Sequence, residues 1–173
     1  MSEAKDIVER ASVAGIVIAI AESCTGGMIS GAITDIAGSS RVLDRGFVTY
    51  SNAAKMNMLG VSAETLDTYG AVSEQVAAEM AAGALQHSNA TLTVSVTGIA
   101  GPGGSDFKPE GRVCFGIATK QRVETHQVDF GPLGRAGVRN ATVAHALELL
   151  LQKLPHGPNA YFLASPQLKL PNF

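Results

Sequence analysis

Gly15-Ile-Val-Ile-Ala-Ile-Ala-Glu-Ser-Cys-Thr-Gly-Gly27 is the stretch whose reading decides the fold. Residues 15–20 form an apolar run of strand length, which stops in small polar residues and two glycines just ahead of a helix-like segment. A buried strand that turns through small residues into a helix leaves free backbone N–H groups at the turn, and these attract negative charge. Ser23 and Cys24 put a hydroxyl and a thiol beside those donors, as acyl-transfer chemistry requires for holding a tetrahedral oxyanion. Ser, Thr and Gly are also ordinary helix caps, so this segment alone leaves a purely structural role open.

Outward from this turn, strand-like and helix-like segments alternate. The first ten residues read as a short amphipathic helix and not as a signal peptide. Downstream the pattern predicts a helix over 28–36 ending near Gly38, a strand over 46–50 and a helix over 52–59. Ser62 and Ser73 stand where N-caps would, each with a Glu in the following turn, and 74–86 is Ala-rich with helical spacing of Val76, Met80 and Leu85. The alternating Thr91-Leu-Thr-Val-Ser-Val-Thr97 predicts a strand, followed by a Gly/Pro loop, two adjacent strands over 112–119 and 123–130, and a last helix over 135–153. Alternation of this kind favours a sheet covered by helices on both faces, and two adjacent strands imply an antiparallel pair within it. The expected fold class is therefore α/β, a three-layer α/β/α sandwich with a mixed, mainly parallel sheet, in one domain over 1–154. The tail over 155–173 has four prolines and no helical period, and reads as an extended arm or a disordered end.

Composition narrows the function classes. The 173 residues are 46% hydrophobic with a net charge of -2 and no Lys/Arg run, which argues against a nucleic-acid surface. No apolar stretch is long enough to span a bilayer, so a cytoplasmic protein is expected. Cys24 and Cys114 lie in unlike contexts, one in the turn and one in an apolar run, and suggest neither a disulfide framework nor a metal site.

Chemistry-bearing residues gather at the ends of three predicted strands: the turn at 23–27, the segment Tyr50-Ser-Asn52, and Thr97-Gly-Ile-Ala-Gly-Pro-Gly-Gly104. In open α/β sheets ligands bind outside the carboxyl ends of the parallel strands, so three such turns would converge on one crevice. A serine nucleophile needs a base, and none of the four histidines is an evident partner; a Lys or Tyr serves when burial or positive charge lowers its pKa, which singles out Tyr50 and Lys55. Glycines at 98, 101, 103 and 104 let backbone amides approach an anion, with Lys108 adding charge, although the Gly-Lys-Ser/Thr of a Walker A loop is missing. Arg135 and Arg139, four apart on one helix face, are both within reach of an anionic substrate.

Taken together, Ala21-Glu-Ser-Cys-Thr-Gly-Gly27, Asp35-Ile-Ala-Gly-Ser-Ser40, Arg45-Gly-Phe-Val-Thr-Tyr-Ser-Asn52 with Lys55, Gly70-Ala-Val-Ser-Glu74 and Thr97-Gly-Ile-Ala-Gly-Pro102 with Lys108-Pro109 closely resemble the CinA C-terminal domain family. The match runs in order over about 5–153, and the length resembles the family's single-domain amidohydrolase form. The resemblance implies hydrolysis of the carboxamide of nicotinamide mononucleotide to nicotinate mononucleotide and ammonia, with no cofactor and no metal. It implies Ser23, Tyr50 and Lys55 as the catalytic group. Substrate binding would fall to Cys24, Thr25, Gly26, Gly27, Asn52, Thr97, Gly98, Gly101, Gly104, Arg135 and Arg139. The expected partner is that small molecule, with no nucleic acid and no membrane, and with homo-oligomer formation left open. Two departures from the family pattern stand out: Gly131-Pro-Leu-Gly134 replaces a Gly-Asp-Arg context before Arg135, and Glu110 stands where Val is usual, adding negative charge near any anion site in the loop. The competing expectation is a non-catalytic nucleotide-binding module linked to competence or DNA damage.

Overall fold

The computed structural model describes residues 2–105 and 107–155, so the expected tail lies, apart from Pro155, outside the described residues. Its elements are α1 (Glu3–Ala14), β1 (Ile18–Glu22), α2 (Met28–Thr34), β2 (Leu43–Val48), α3 (Asn52–Leu59), α4 (Ala63–Tyr69), α5 (Glu74–Gln86), β3 (Leu92–Gly98), β4 (Arg112–Thr119), β5 (Val123–Asp129) and α6 (Gly134–Lys153). The strands form one sheet in the order β2-β1-β3-β4-β5. β1 pairs in parallel with β2 and β3, whereas β3/β4 and β4/β5 are antiparallel, so the sheet is mixed and only β4 runs against the other four.

Both faces are covered. Ile18 and Ile20 of β1, Val94 and Val96 of β3 and Phe115 of β4 pack under α1, α2 and α6. On the other face Ala19 and Ala21 of β1 and Phe47 of β2 meet Leu59, Leu66, Val76 and Met80 from α3, α4 and α5. All five residues of β1 are buried, as a strand sandwiched between two helix layers must be. The hydroxyls of Thr93 and Ser95, buried on β3, donate to the Ala81 and Ala77 carbonyls of α5 at 2.8 and 2.6 Å. A strand with polar residues at every second position is thereby buried with those hydroxyls satisfied.

Ser51, Ser62 and Ser73 each accept a backbone N–H of the helix that follows, which sets where α3, α4 and α5 begin. The first of these starts puts Lys55 on the first turn and a half of α3, directed into the protein. β2 departs from expectation: it spans 43–48 and not 46–50. It is an edge strand with an irregularity in its pairing to β1 opposite Asp44, and Asp44-Arg45-Gly46 carries no apolar alternation. Tyr50 consequently stands beyond the strand, in the connection to α3.

Candidate active site

Alternation along β1 determines what the turn at its end presents. Even-numbered residues face the α1, α2 and α6 layer and odd-numbered ones the α3 to α5 layer. Glu22 therefore enters the layer that holds α2, and Ser23 faces the layer that holds α3.

Glu22 is fully buried, and its carboxylate accepts from the Gly27 and Ile29 amides at 3.0 and 3.1 Å and from the Ser30 amide and hydroxyl at 2.9 and 2.7 Å. A carboxylate thus caps α2 from inside, where the helix dipole favours it. The turn is closed by Gly26 and Gly27 at φ 61° and 103°, a backbone region that favours glycine. This narrows the free backbone N–H groups expected at the turn. Gly27 is engaged by Glu22, and the Gly26 amide donates to the Ser23 carbonyl at 3.1 Å. Among the described residues the amides of Cys24 and Thr25 are left without a protein acceptor. Sequence reading overlooked Glu22; its signal was a lone charge closing an apolar strand.

Ser23 is buried, and the Lys55 Nζ lies 3.1 Å from its Oγ. Lys55 is 2% exposed, and the only other hydrogen bond of its amine among the described residues is to the Thr49 carbonyl, at 3.0 Å. Burial lowers the Lys55 pKa from its ordinary value, with the neighbouring Cys24 opposing weakly. Among the described residues its amine meets neutral oxygens and no carboxylate. Cys24 is shifted the opposite way. Burial, with some help from Glu22, pushes its thiol up to about 11 against the pull of its own amide, Arg139 and Lys55, so the thiolate that would make it a rival nucleophile is disfavoured.

Ser23, Cys24, Lys55, Asn52, Tyr50 and Arg135 line a cleft of about 220 Å³ at the carboxyl ends of β1 and β3. Thr97, Gly98, Ala71, Val72 and Ala100 complete its wall. Tyr50, 59% exposed, forms no hydrogen bond to Ser23 among the described residues: its hydroxyl accepts from Arg135 Nη2 at 2.6 Å. Arg135 Nη1 donates to the Gly101 carbonyl at 2.9 Å. Thr97 donates inward to the Ala71 carbonyl at 2.7 Å, extending the series begun by Thr93 and Ser95.

Other expected contacts resolve differently. Thr25, Gly26, Gly27, Gly101, Gly104 and Arg139 do not line the cleft. Arg139 donates to the Cys24 and Thr25 carbonyls at 3.1 and 3.0 Å, clamping the turn after β1. The Lys108 ammonium, expected to strengthen an anion cradle, is bound to the Tyr69 carbonyl at 2.8 Å and to the Val72 carbonyl. The Gly-rich loop turns its amides inward as well: Gly103 donates to Glu110 at 2.6 Å and Ser105 to the Lys108 carbonyl at 2.8 Å. Among the described residues no three His, Cys, Asp or Glu side chains gather to hold a metal ion, and no helix is long and apolar enough to cross a membrane.

Residues 2–154 match the CinA C-terminal domain. The nicotinamide-nucleotide amidohydrolase PncC of Enterobacter agglomerans is 56% identical over 138 residues, 79% of this chain and 84% of that protein. A CinA-like protein of Chlorobium phaeobacteroides is 58% identical over 111 residues, 64% of this chain, but this chain spans only 26% of its length. Among solved structures, the competence/damage inducible protein CihA of Agrobacterium tumefaciens superimposes with a TM-score of 0.82 at 49% identity, covering 88% of this chain and 96% of that one. The chain, in sequence and in the mixed sheet that carries its cleft, belongs to the CinA C-terminal domain family.

Proposed function

We propose that the protein hydrolyses the carboxamide of nicotinamide mononucleotide, giving nicotinate mononucleotide and ammonia, with Ser23 as nucleophile and Lys55 as its base. The observation that carries the reading is the buried Lys55 amine 3.1 Å from the Ser23 hydroxyl with no carboxylate to hold it protonated. Similarity to relatives named nicotinamide-nucleotide amidohydrolases supplies the substrate.

In this mechanism neutral Lys55 takes the Ser23 proton as Oγ bonds to the carboxamide carbon, and the carbonyl oxygen becomes an oxyanion facing the Cys24 and Thr25 amides. The Lys55 ammonium returns the proton to the leaving nitrogen, the C–N bond breaks, and ammonia departs. Water adds to the acyl-enzyme, with Lys55 again accepting a proton, and the O–C bond to Ser23 breaks to release the carboxylate and restore the hydroxyl. Tyr50 acts by holding Arg135, whose guanidinium at the mouth of the cleft receives the substrate phosphate and converts remote binding energy into placement of the amide.

Ammonia release from nicotinamide mononucleotide by the purified protein, and its loss in Ser23→Ala and Lys55→Met, is the test. Binding of the mononucleotide without ammonia would replace the enzyme by a nucleotide-binding module.

A further inference from the structure

The carboxylate of Glu110 joins two segments, the Gly-rich loop and the start of α6. Oε2 accepts the Gly103 amide of the Gly-rich loop at 2.6 Å, and Oε1 accepts the Gly134 amide at the start of α6 at 2.8 Å. Arg135 follows Gly134 directly and spans the same two segments from the other side, resting on the Gly101 carbonyl at 2.9 Å while it reaches Tyr50. The fit around the carboxylate is close: a Cβ on Gly101, which has φ 84°, would come within 2.5 Å of the Glu110 Cδ. Glu110 is itself anchored, since the Pro109 carbonyl accepts the Arg112 amide and the Gly111 amide donates to Ile99 at the end of β3.

Among the described residues Glu110 forms no ion pair, and both of its oxygens are spent on backbone amides. Its negative charge is thus directed to two N–H donors, one of them at the positive end of a 20-residue helix, and the Arg135 guanidinium keeps its charge for the cleft. The two carboxylate oxygens fix the distance between loop and helix start, and that distance determines where a side chain rooted at 135 and resting on 101 can point.

We propose that Glu110 is a positioning residue for Arg135, and that by tying the Gly-rich loop to the start of α6 it sets the preference of the site for a substrate bearing a phosphate. This rests on the amidase reading given above. Removing the carboxylate frees Arg135 to leave Tyr50 and Gly101, so recognition of the phosphate is lost while the Ser23–Lys55 pair, on the turn after β1 and on α3, is untouched.

The experiment compares nicotinamide mononucleotide with nicotinamide riboside in the unmutated protein, Glu110→Val, Glu110→Gln, Arg135→Ala and the Glu110→Val/Arg135→Ala double variant, alongside calorimetric binding of nicotinate mononucleotide. Glu110→Val is expected to lower the mononucleotide-to-riboside ratio of kcat/KM by at least about tenfold, through KM of the mononucleotide, and to weaken nicotinate mononucleotide binding by a similar factor. Glu110→Gln, which keeps one acceptor oxygen, falls between. The double variant should show the ratio of Arg135→Ala alone, because the two residues act as a unit. Equal losses on both substrates would reduce Glu110 to a stabilising contact, and a rise in the ratio would make its charge an opponent of the phosphate; either overturns the proposal. If the unmutated protein releases no ammonia yet binds nicotinate mononucleotide, and Glu110→Val binds it more weakly, the amidase reading falls and the positioning role stands. Absence of both ammonia release and nucleotide binding in the unmutated protein overturns both.

Discussion

Lys55→Met separates the catalytic cost of the buried amine from its structural cost. Removing a general base costs roughly 10² to 10⁴ in rate, or ~3 to 5 kcal/mol of barrier, and among the described residues Lys55 is the one side chain hydrogen-bonded to the Ser23 hydroxyl. Stability should move in a different way. The substitution gives up two hydrogen bonds, to the Ser23 hydroxyl and the Thr49 carbonyl, each contributing about 1 kcal/mol net. It also relieves the burial of an amine that has no counter-charge. Because burial lowers the folded-state pKa below that of the unfolded chain, about 10.4, the unfolded state binds the extra proton between the two values. Wild-type stability therefore rises with pH through that window, and the penalty is fully present below the folded pKa. Methionine carries no proton, so the stability of Lys55→Met relative to wild type should be greatest near pH 7 and should decline as the pH is raised toward 10. Thermal denaturation across that range, where about 1 kcal/mol corresponds to roughly 2 to 4 °C for a chain of this size, measures the trend, and ammonia release measures the rate. A relative stability that stays flat or grows with pH, or a variant within tenfold of wild-type activity, would refute the assignment of a buried neutral amine as the base.

Ser23→Ala should lose at least about 10³ in kcat and Cys24→Ala less than tenfold, measured as ammonia release; the reverse order would move the nucleophile to Cys24. The kcat/KM of the wild type should climb with pH through an apparent pKa below that of free lysine, and a profile flat from pH 6 to 10 would remove Lys55 from proton transfer. Arg135→Ala should cost the mononucleotide on the order of 10² in kcat/KM, about 3 kcal/mol, and the riboside far less; equal losses would rule out phosphate contact. Glu22→Gln should destabilise the fold by about 2 to 4 kcal/mol in chemical denaturation, since one of its two carboxylate oxygens becomes a donor facing amides that also donate. An unchanged midpoint would show that α2 is capped by other means.

Much of this was legible in the chain before the fold was seen. The serine caps at 62 and 73 and the alternation of β3 carry their geometry in short-range pattern and agree with the structure to within a residue, while the apolar run over 15–20 overlaps β1 but begins three residues ahead of it. β2 was displaced by three residues because an edge strand with Asp44 and Arg45 lacks that pattern. At the site, the approach of Lys55 to Ser23 was anticipated, and the spent amides were not. A free N–H at a turn is foreseeable from sequence, whereas the carboxylate that occupies it, Glu22 for α2 and Glu110 for α6, declares itself only when the chain has folded back on it. The same holds for Arg135 and Arg139: identical in type and four residues apart, they differ in function because one meets a carbonyl-lined turn and the other an open cleft.

The alternation of β1 that sends Glu22 to one side of the sheet and Ser23 to the other makes the strand a phase reference for the chemistry. On the mechanism proposed above, parity would select the attacking side chain before intrinsic reactivity enters. Cys24 is one step out of phase, so the more acidic and more nucleophilic group in the turn is carried into the hydrophobic layer and silenced, while the hydroxyl is delivered to the amine. By the same logic, a thiol introduced at position 23 would inherit a base, and a single-residue deletion within 18–22 would exchange carboxylate and hydroxyl between layers, aiming the cap at Lys55 and the nucleophile at the α2 amides.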